Sequence, residues 1–318
     1  MSVTLLQPGL LTTVQDLGRH GHMALGVGHS GAMDVPVLRL ANALVGNAAD
    51  AAALELSLLG PTLRFEVATL IAVAGAEFDL HLDGQPLAAW RPQPIAAGSV
   101  LACGPARRGV RACLAVAGGV RVAPVLGSRA SDIHAGLGPF GGRPLVAGDV
   151  LPIEPRPGGA TMPWSLDPRP WFDPDPAQPI RLVPGSHFDR LDAAARKALF
   201  SATFRIAPAS NRTGLRLDGP RLALATPLEP VSEPVAFGTL QLPPGGQPIV
   251  LMAEHPTTGG YPRIGQVAAI DLPRLAQRRP GDGVRFAAIT TAEAQTGYLE
   301  RERALAGLLD ALARRLAT

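Results

Sequence analysis

The density and spacing of glycine and proline constrain this chain more than any other feature. It carries 36 glycines and 32 prolines among 318 residues, and from Gly60 onward they cut the sequence into short apolar runs. In a helix interior each glycine costs about 1 kcal/mol and each proline about 3 kcal/mol relative to alanine. A helical bundle is therefore disfavoured, and short apolar runs bounded by turn residues read as strands. The run FDLHL at 78–82 alternates apolar and polar residues and then meets Asp83-Gly84, a strong hairpin signal. Residues 100–103 and 110–117 flank the turn-prone Arg107-Arg108-Gly109, so they are expected to form two antiparallel strands.

Helices are few. Asp34 can cap a helix whose apolar positions Val37, Leu40, Ala41 and Leu44 recur at helical spacing, with Gly46 as its stop. Residues 189–200 read as a second helix. Thr290 and Glu293 form a capping-box pattern ahead of a C-terminal helix, whose stripe Leu305, Leu308, Leu309, Leu312 and Leu316 gives it one apolar face.

A chain of this length suits two domains. Residues 154–179 carry eight prolines with Trp164 and Trp171. A segment unable to donate ladder hydrogen bonds at so many positions reads as a linker, and its tryptophans suggest that it packs against the domains. The expected division is a domain over 1–153, a linker over 154–179, and a domain over 180–318 ending in the helix. Two echoes point to a degenerate repeat of related β-barrels. Gly60-Pro61 recurs as Gly219-Pro220, and Gly148-Asp149 as Gly281-Asp282.

Several function classes are excluded by composition. A net charge of +3, no basic run longer than two residues, and 4% aromatic residues leave no nucleic-acid surface. Cys103 and Cys113 are the only cysteines and read as free thiols in a reducing compartment. No stretch approaches the ~20 apolar residues of a membrane span, and the N-terminus lacks the pattern of a secretory leader. The expected location is cytoplasmic.

Most motif readings fail on context. Gly26, Gly28 and Gly31 match GxGxxG, but no strand-length apolar run precedes them, so a dinucleotide fold is not expected. The lone lysine, Lys197, lies in neither a Walker loop nor a biotin-carrier context. His20, His22 and His29 could be drawn as a zinc cluster, but without Cys, HExxH or a spaced acid partner they read as ordinary loop histidines, and no metal is expected. No GxSxG elbow supports a serine hydrolase.

Polar, glycine-bearing loops remain. One runs over residues 12–19 (TTVQDLGR). Ser30, Gly31, Ala32, Met33 and Asp34 precede a helix N-terminus, where free N–H groups favour anions, although a plain cap by Asp34 carries comparable weight. Asn211 and Arg212 sit in another such loop. Thr257, Thr258, Gly259, Gly260 and Tyr261 follow an apolar strand at 249–253. Glycines let a backbone approach a ligand, and hydroxyls supply directional hydrogen bonds. These twelve residues are the candidate substrate contacts; no catalytic residue is assigned.

Taken together, TTVQDLGR at 12–19, SGAMD at 30–34, the AN-LVGN pattern at 41–47, LE at 54–55, SNRTGLRLDG at 210–219, TTGGYPRI at 257–264 and DLPRLAQRRPGDGVRF at 271–286 resemble one known family. It is variously called the C component of 5-oxoprolinase, KipA, or the second component of allophanate hydrolase. The resemblance implies a mainly β fold of two cyclophilin-like β-barrel domains with a few short helices and a C-terminal helix. It implies a KipI-like partner, the B component of 5-oxoprolinase, and through it the A component. The complex it implies opens the lactam of 5-oxoproline, a small-molecule substrate, using ATP. Two further activities exist on the same scaffold. One is carboxyltransfer to urea or an amide from biotin on a separate carrier, and the other is KipA-type binding of a KipI-like kinase inhibitor. His255-Pro256 stands where the family more often has Gln ahead of the two threonines.

Overall fold

The computed structural model describes residues 1–154 and 164–317. Within them the chain is mainly β, with four α-helices, and it divides into two compact units. The first comprises residues 1–19, 30–173 and 305–318; the second comprises 20–29 and 174–304. These bounds differ from the expected ones. Residues 20–29 group with the second unit, and the helix stripe from Leu305 onward packs in the first unit's core. Of the expected linker, residues 155–163 lie outside the described residues. Trp171 and Phe172 are buried in the first core, and Trp164 packs against it under the guanidinium of Arg315, 5.0 Å from its ring centre.

The first unit is organised around one long antiparallel pair, Thr69–Leu82 with Val100–Val116. Residues 111–114 of the second strand continue the sheet through Ala53–Ser57 to Leu11–Gln15, and residues 100–102 continue it through Thr62–Phe65 and Ser2–Gln7 to Val150–Pro152. The expected hairpin after Leu82 is present, with both Asp83 and Gly84 at positive φ. The expected turn at 107–109 is absent: residues 100–116 form one strand. Arg107 and Arg108 bond across the ladder to Asp79 and Glu77, while Gly75 and Gly109 at positive φ absorb the register shifts as bulges.

Helix α1 (Val35–Leu44) covers this pair. The Asp34 side chain accepts from the Val37 N–H, and Val37, Leu38, Leu40, Ala41 and Leu44 are buried. Helix α2 (Ala193–Ser201) starts later than the expected 189, because Asp192 supplies the cap, accepting from the Ala195 N–H at 2.6 Å. Helix α3 (Leu272–Ala276) was not expected. Helix α4 (Thr291–Ala317) opens with the anticipated capping box: Glu293 N–H donates to Thr290 Oγ1 at 3.2 Å, and Thr290 N–H to Glu293 Oε2 at 2.7 Å. Among the described residues no helix is long and apolar enough to cross a membrane.

The second unit's sheet runs in the order Gly283–Val284, Phe204–Ile206, Gly214–Asp218, Ile249–Leu251, Thr239–Gln241, Arg263–Val267, Ile180–Pro184, Phe286–Ala288. Its two outer strands are separated by Arg285 alone. The sheet's ends are thus joined by one residue, and the sheet is a nearly closed barrel.

One of the two sequence echoes is structural. Gly148 and Gly281 both adopt φ near 90° (89° and 90°). The carboxylates of Asp149 and Asp282 accept from the N–H three residues back, Val146 at 2.8 Å and Arg279 at 2.7 Å. Each Gly-Asp pair then clasps a strand, donating to and accepting from Leu5 in one unit and Ile206 in the other. The Gly-Pro echo is not equivalent, since Gly60-Pro61 precedes a strand and Gly219-Pro220 follows one.

Cys103 and Cys113 lie on the same strand opposite different residues, Leu80 and Ala74, and both are free and buried. Burial pushes the Cys103 thiol up to about 12. Titration with a chromogenic disulfide should find no reactive thiol in the native protein and two after unfolding.

Candidate functional site

The segments singled out by sequence fall into two groups, one in each unit. In the first unit the expected loop at 12–19 is strand up to Gln15; only residues 16–19 leave it, to pack on the SGAMD loop, and a buried carboxylate ties them down. Asp16 accepts from the N–H groups of Gly18 (2.8 Å) and Arg129 (2.5 Å) and from the Ser128 hydroxyl (2.6 Å). Arg19 is fully buried and donates to the carbonyls of Val125 and Ala130. Gly31, at φ 89°, brings its backbone against Gly18, where a Cβ would lie 2.9 Å from the amide nitrogen; only glycine fits there. Ser30 is also left-handed, at φ 55°, and its hydroxyl donates to the Ser131 carbonyl at 2.7 Å.

Other candidate residues in this group serve the fold. Ala32 and Met33 are packed inside at 2% and 1% exposure, and Met33 N–H donates to the buried Glu55 carboxylate. The N-terminus of α1 is closed by the Asp34 carboxylate, which opposes the anion binding that free N–H groups there would favour. The family-patterned Asn42 and Asn47 bond to each other and to the carbonyls of Ala51 and Val116.

In the second unit the structure brings Arg212 against Glu254, a residue the sequence did not single out. Both are 3% exposed at the side chain, and Arg212 Nε donates to Glu254 Oε1 at 2.5 Å. The Glu254 N–H also donates to the Arg212 carbonyl, which joins the loop after Phe204–Ile206 to the loop after Ile249–Leu251. Asn211 is exposed and organises its own turn, its side-chain oxygen accepting from Thr213 and Gly214 N–H groups.

His255 follows Glu254 directly. It is 3% exposed, and its Nδ1 lies 2.7 Å from the Pro256 carbonyl. Desolvation holds its imidazole below the usual histidine range, against the opposing effect of that carbonyl. His29, whose ring stands 4.9 Å from that of His20, is lowered too, by burial first and then by repulsion from His20 and His255. Among the described residues no set of His, Cys, Asp and Glu side chains is arranged to hold a metal ion.

From this anchored base the candidate loop emerges. The Thr257 carbonyl accepts from Val235, and Thr258–Gly259 pairs antiparallel with Glu233–Pro234 as a small two-stranded sheet. Thr258 is exposed, and Tyr261 is 45% exposed at the mouth of a groove of about 500 Å³. Leu222, Leu224, Leu228, Leu242 and Pro262 form the apolar lining of that groove, with Arg221 and Glu229 at hand. Gly259 lies close against Gln241. A Cβ there would meet the Gln241 side chain at 2.4 Å, so the backbone's close neighbour is the protein itself. The loop therefore presents two exposed hydroxyls beside a greasy groove, on a base fixed by a buried ion pair.

A family model described as carboxyltransferase domain, subdomain A and B, matches residues 25–288. The chain belongs to this carboxyltransferase-domain family. Its relatives include the C component of the 5-oxoprolinase of Escherichia coli K12, 38% identical over 300 residues that cover 94% of this chain and 95% of that protein. The crystal structure of TTHA0988 superposes on 90% of the chain with a TM-score of 0.78 at 37% identity; the chain spans 55% of its length. The crystal structure of Kluyveromyces lactis urea amidolyase superposes on 98% of the chain with a TM-score of 0.88 at 28% identity, and there the chain spans 20% of the larger protein. A carboxyltransferase-domain protein is thus found both as a separate chain and as a section of a longer one.

The depressed histidines give the second unit a pH signature. A buried imidazole whose folded pKa lies below its unfolded value resists protonation, so stability is full above about pH 6.5 and falls as pH drops below it toward the folded pKa. His255→Gln should flatten the fall in melting temperature between pH 7 and about pH 5.5. An unchanged slope in that variant would show that His255 is not the group responsible.

Proposed function

We propose that this chain is the C component of an ATP-dependent 5-oxoprolinase, acting with a KipI-like B component and an A component to open 5-oxoproline to glutamate. The observation that carries this reading is the end-to-end match to a protein named as that component, which covers 94% of one chain and 95% of the other. The opened bond is an amide, a poor electrophile. Its hydrolysis needs a polarised carbonyl and donors placed where negative charge develops. The hydroxyls of Thr258 and Tyr261 suit that task, because each is exposed on a loop whose base is immobilised by Arg212 and Glu254.

The sequence has no Walker loop, Lys197 is exposed on α2, and the N-terminus of α1 already faces a carboxylate. In this reading ATP is used by the assembled complex, and the isolated chain is inactive.

Carboxyltransfer is the second reading. It is favoured by the family description and by the urea amidolyase likeness. It would require biotin on a separate carrier, since Lys197 stands in Ala-Arg-Lys-Ala.

Thr258→Val and Tyr261→Phe, assayed in the reconstituted complex, should each lower turnover by about a hundred- to a thousandfold if the hydroxyl bonds in the transition state. Both side chains are exposed, so melting should move little: about 0.5 kcal/mol or less for a surface position. Activity close to wild type in both variants would remove this loop from the site.

A further inference from the structure

Three polar side chains on the groove beside the candidate loop are left without partners. Arg221, Glu229 and Tyr261 all line that groove in the second unit, and all three are exposed. Among the described residues no hydrogen bond or ion pair engages the Arg221 guanidinium, the Glu229 carboxylate or the Tyr261 hydroxyl, and Arg221 and Glu229 do not pair with each other. On an open surface an unpaired arginine would carry no argument. This one borders a concave site of about 500 Å³ walled largely by leucine and proline, the size and lining of a small-molecule pocket. In a cleft with apolar walls the field of a guanidinium is focused more strongly than over a flat, wet surface.

The fold also holds Arg221 in place. Leu222 N–H donates to the Gly246 carbonyl, and Gly246 N–H to the Pro243 carbonyl, both at 2.9 Å. Gly246 sits at φ 78°, and a Cβ there would lie 3.1 Å from Arg221 Nε and closer still to its Cγ. The stem of the arginine thus rests on bare backbone that only glycine leaves open. Leu242 N–H donates to the Pro262 carbonyl at 2.9 Å, which joins another lining residue to the loop that bears Tyr261.

We propose that Arg221 reads a carboxylate on a small hydrocarbon frame held in this groove, and so determines which ligand the site accepts. A guanidinium engages a carboxylate through two parallel, charge-assisted N–H···O bonds, which a neutral amide or a urea does not offer. Glu229 repels a second negative charge, so a monocarboxylate is favoured over a dicarboxylate. 5-Oxoproline carries one carboxylate on a five-membered ring, and urea carries none. That identification of the ligand rests on the proposed function; the demand for a carboxylate does not.

Three probes test this on the full chain by saturation-transfer NMR. They are 5-oxoproline, 5-oxoprolinamide, which lacks only the charge, and cyclopentanecarboxylate, which keeps the acid without the lactam. The two acids should bind and compete with each other, and the amide should bind at least about tenfold more weakly. Arg221→Gln should weaken both acids by about ten- to a hundredfold, the worth of a hydrogen bond to a charged group, and leave the amide unchanged. Arg221→Lys should keep part of the preference for the acids. Neither substitution should shift melting, since Arg221 is exposed. Equal binding of acid and amide, binding of none of the three, or an Arg221→Gln variant that keeps the preference would overturn the proposal. The outcomes separate from those of the proposed function. Arg221-dependent binding of both acids in a chain whose complex cannot open 5-oxoproline would retain this site and discard the oxoprolinase reading. An active complex whose KM for 5-oxoproline is unchanged by Arg221→Gln would do the reverse.

Discussion

The polar loops of this chain are largely buried, and burial obliges every N–H, carbonyl and charge in them to find a partner. Much of the architecture follows from meeting that demand. Asp16 satisfies three donors at once, Arg19 spans two carbonyls, and Arg212 and Glu254 neutralise each other where neither could stand alone. Removing one member of a buried ion pair typically costs about 3–5 kcal/mol, because the other is left charged and unsolvated. Loops held on those terms are rigid, and rigid donors are what a reaction with a developing oxyanion requires.

The sheets supply the frame for these loops by economical means. In the first unit one long strand pair serves as a spine, and its bulges allow the two halves of Val100–Val116 to carry different neighbours on one edge. In the second unit the sheet comes round until its two outer strands are consecutive in the chain. Both units close a strand end with the same glycine–aspartate clasp, a positive-φ glycine followed by an acid that caps the turn. In neither unit does the clasp belong to the candidate site.

Much of this was legible in the sequence. The hairpin at Asp83-Gly84, the Asp34 cap and the Thr290/Glu293 box are local signals, set by residues within four positions of one another, and each has its expected geometry. The clasp could be read because it too is local. The sequence misled where the outcome depends on distant partners. Arg107-Arg108-Gly109 looks like a turn until Asp79 and Glu77 are placed opposite the arginines. Glu254 and Arg212 are 42 positions apart, so no local pattern joins them; the one available hint was a lone acid beside a histidine at the end of an apolar strand. The compact units divide the chain at points other than the expected bounds, since the leucine stripe of α4 announces a buried face without naming the core that buries it.

A role as the C component of an ATP-dependent lactam hydrolase is the central claim, and a single add-back experiment tests it. Glutamate release from 5-oxoproline is measured with the A and B components and ATP, with and without this chain. Turnover that appears only when the chain is added, and that is absent for the chain by itself, is the predicted result. Equal turnover with and without it, or urea carboxylation supported by a biotinylated carrier in place of lactam opening, would contradict that role.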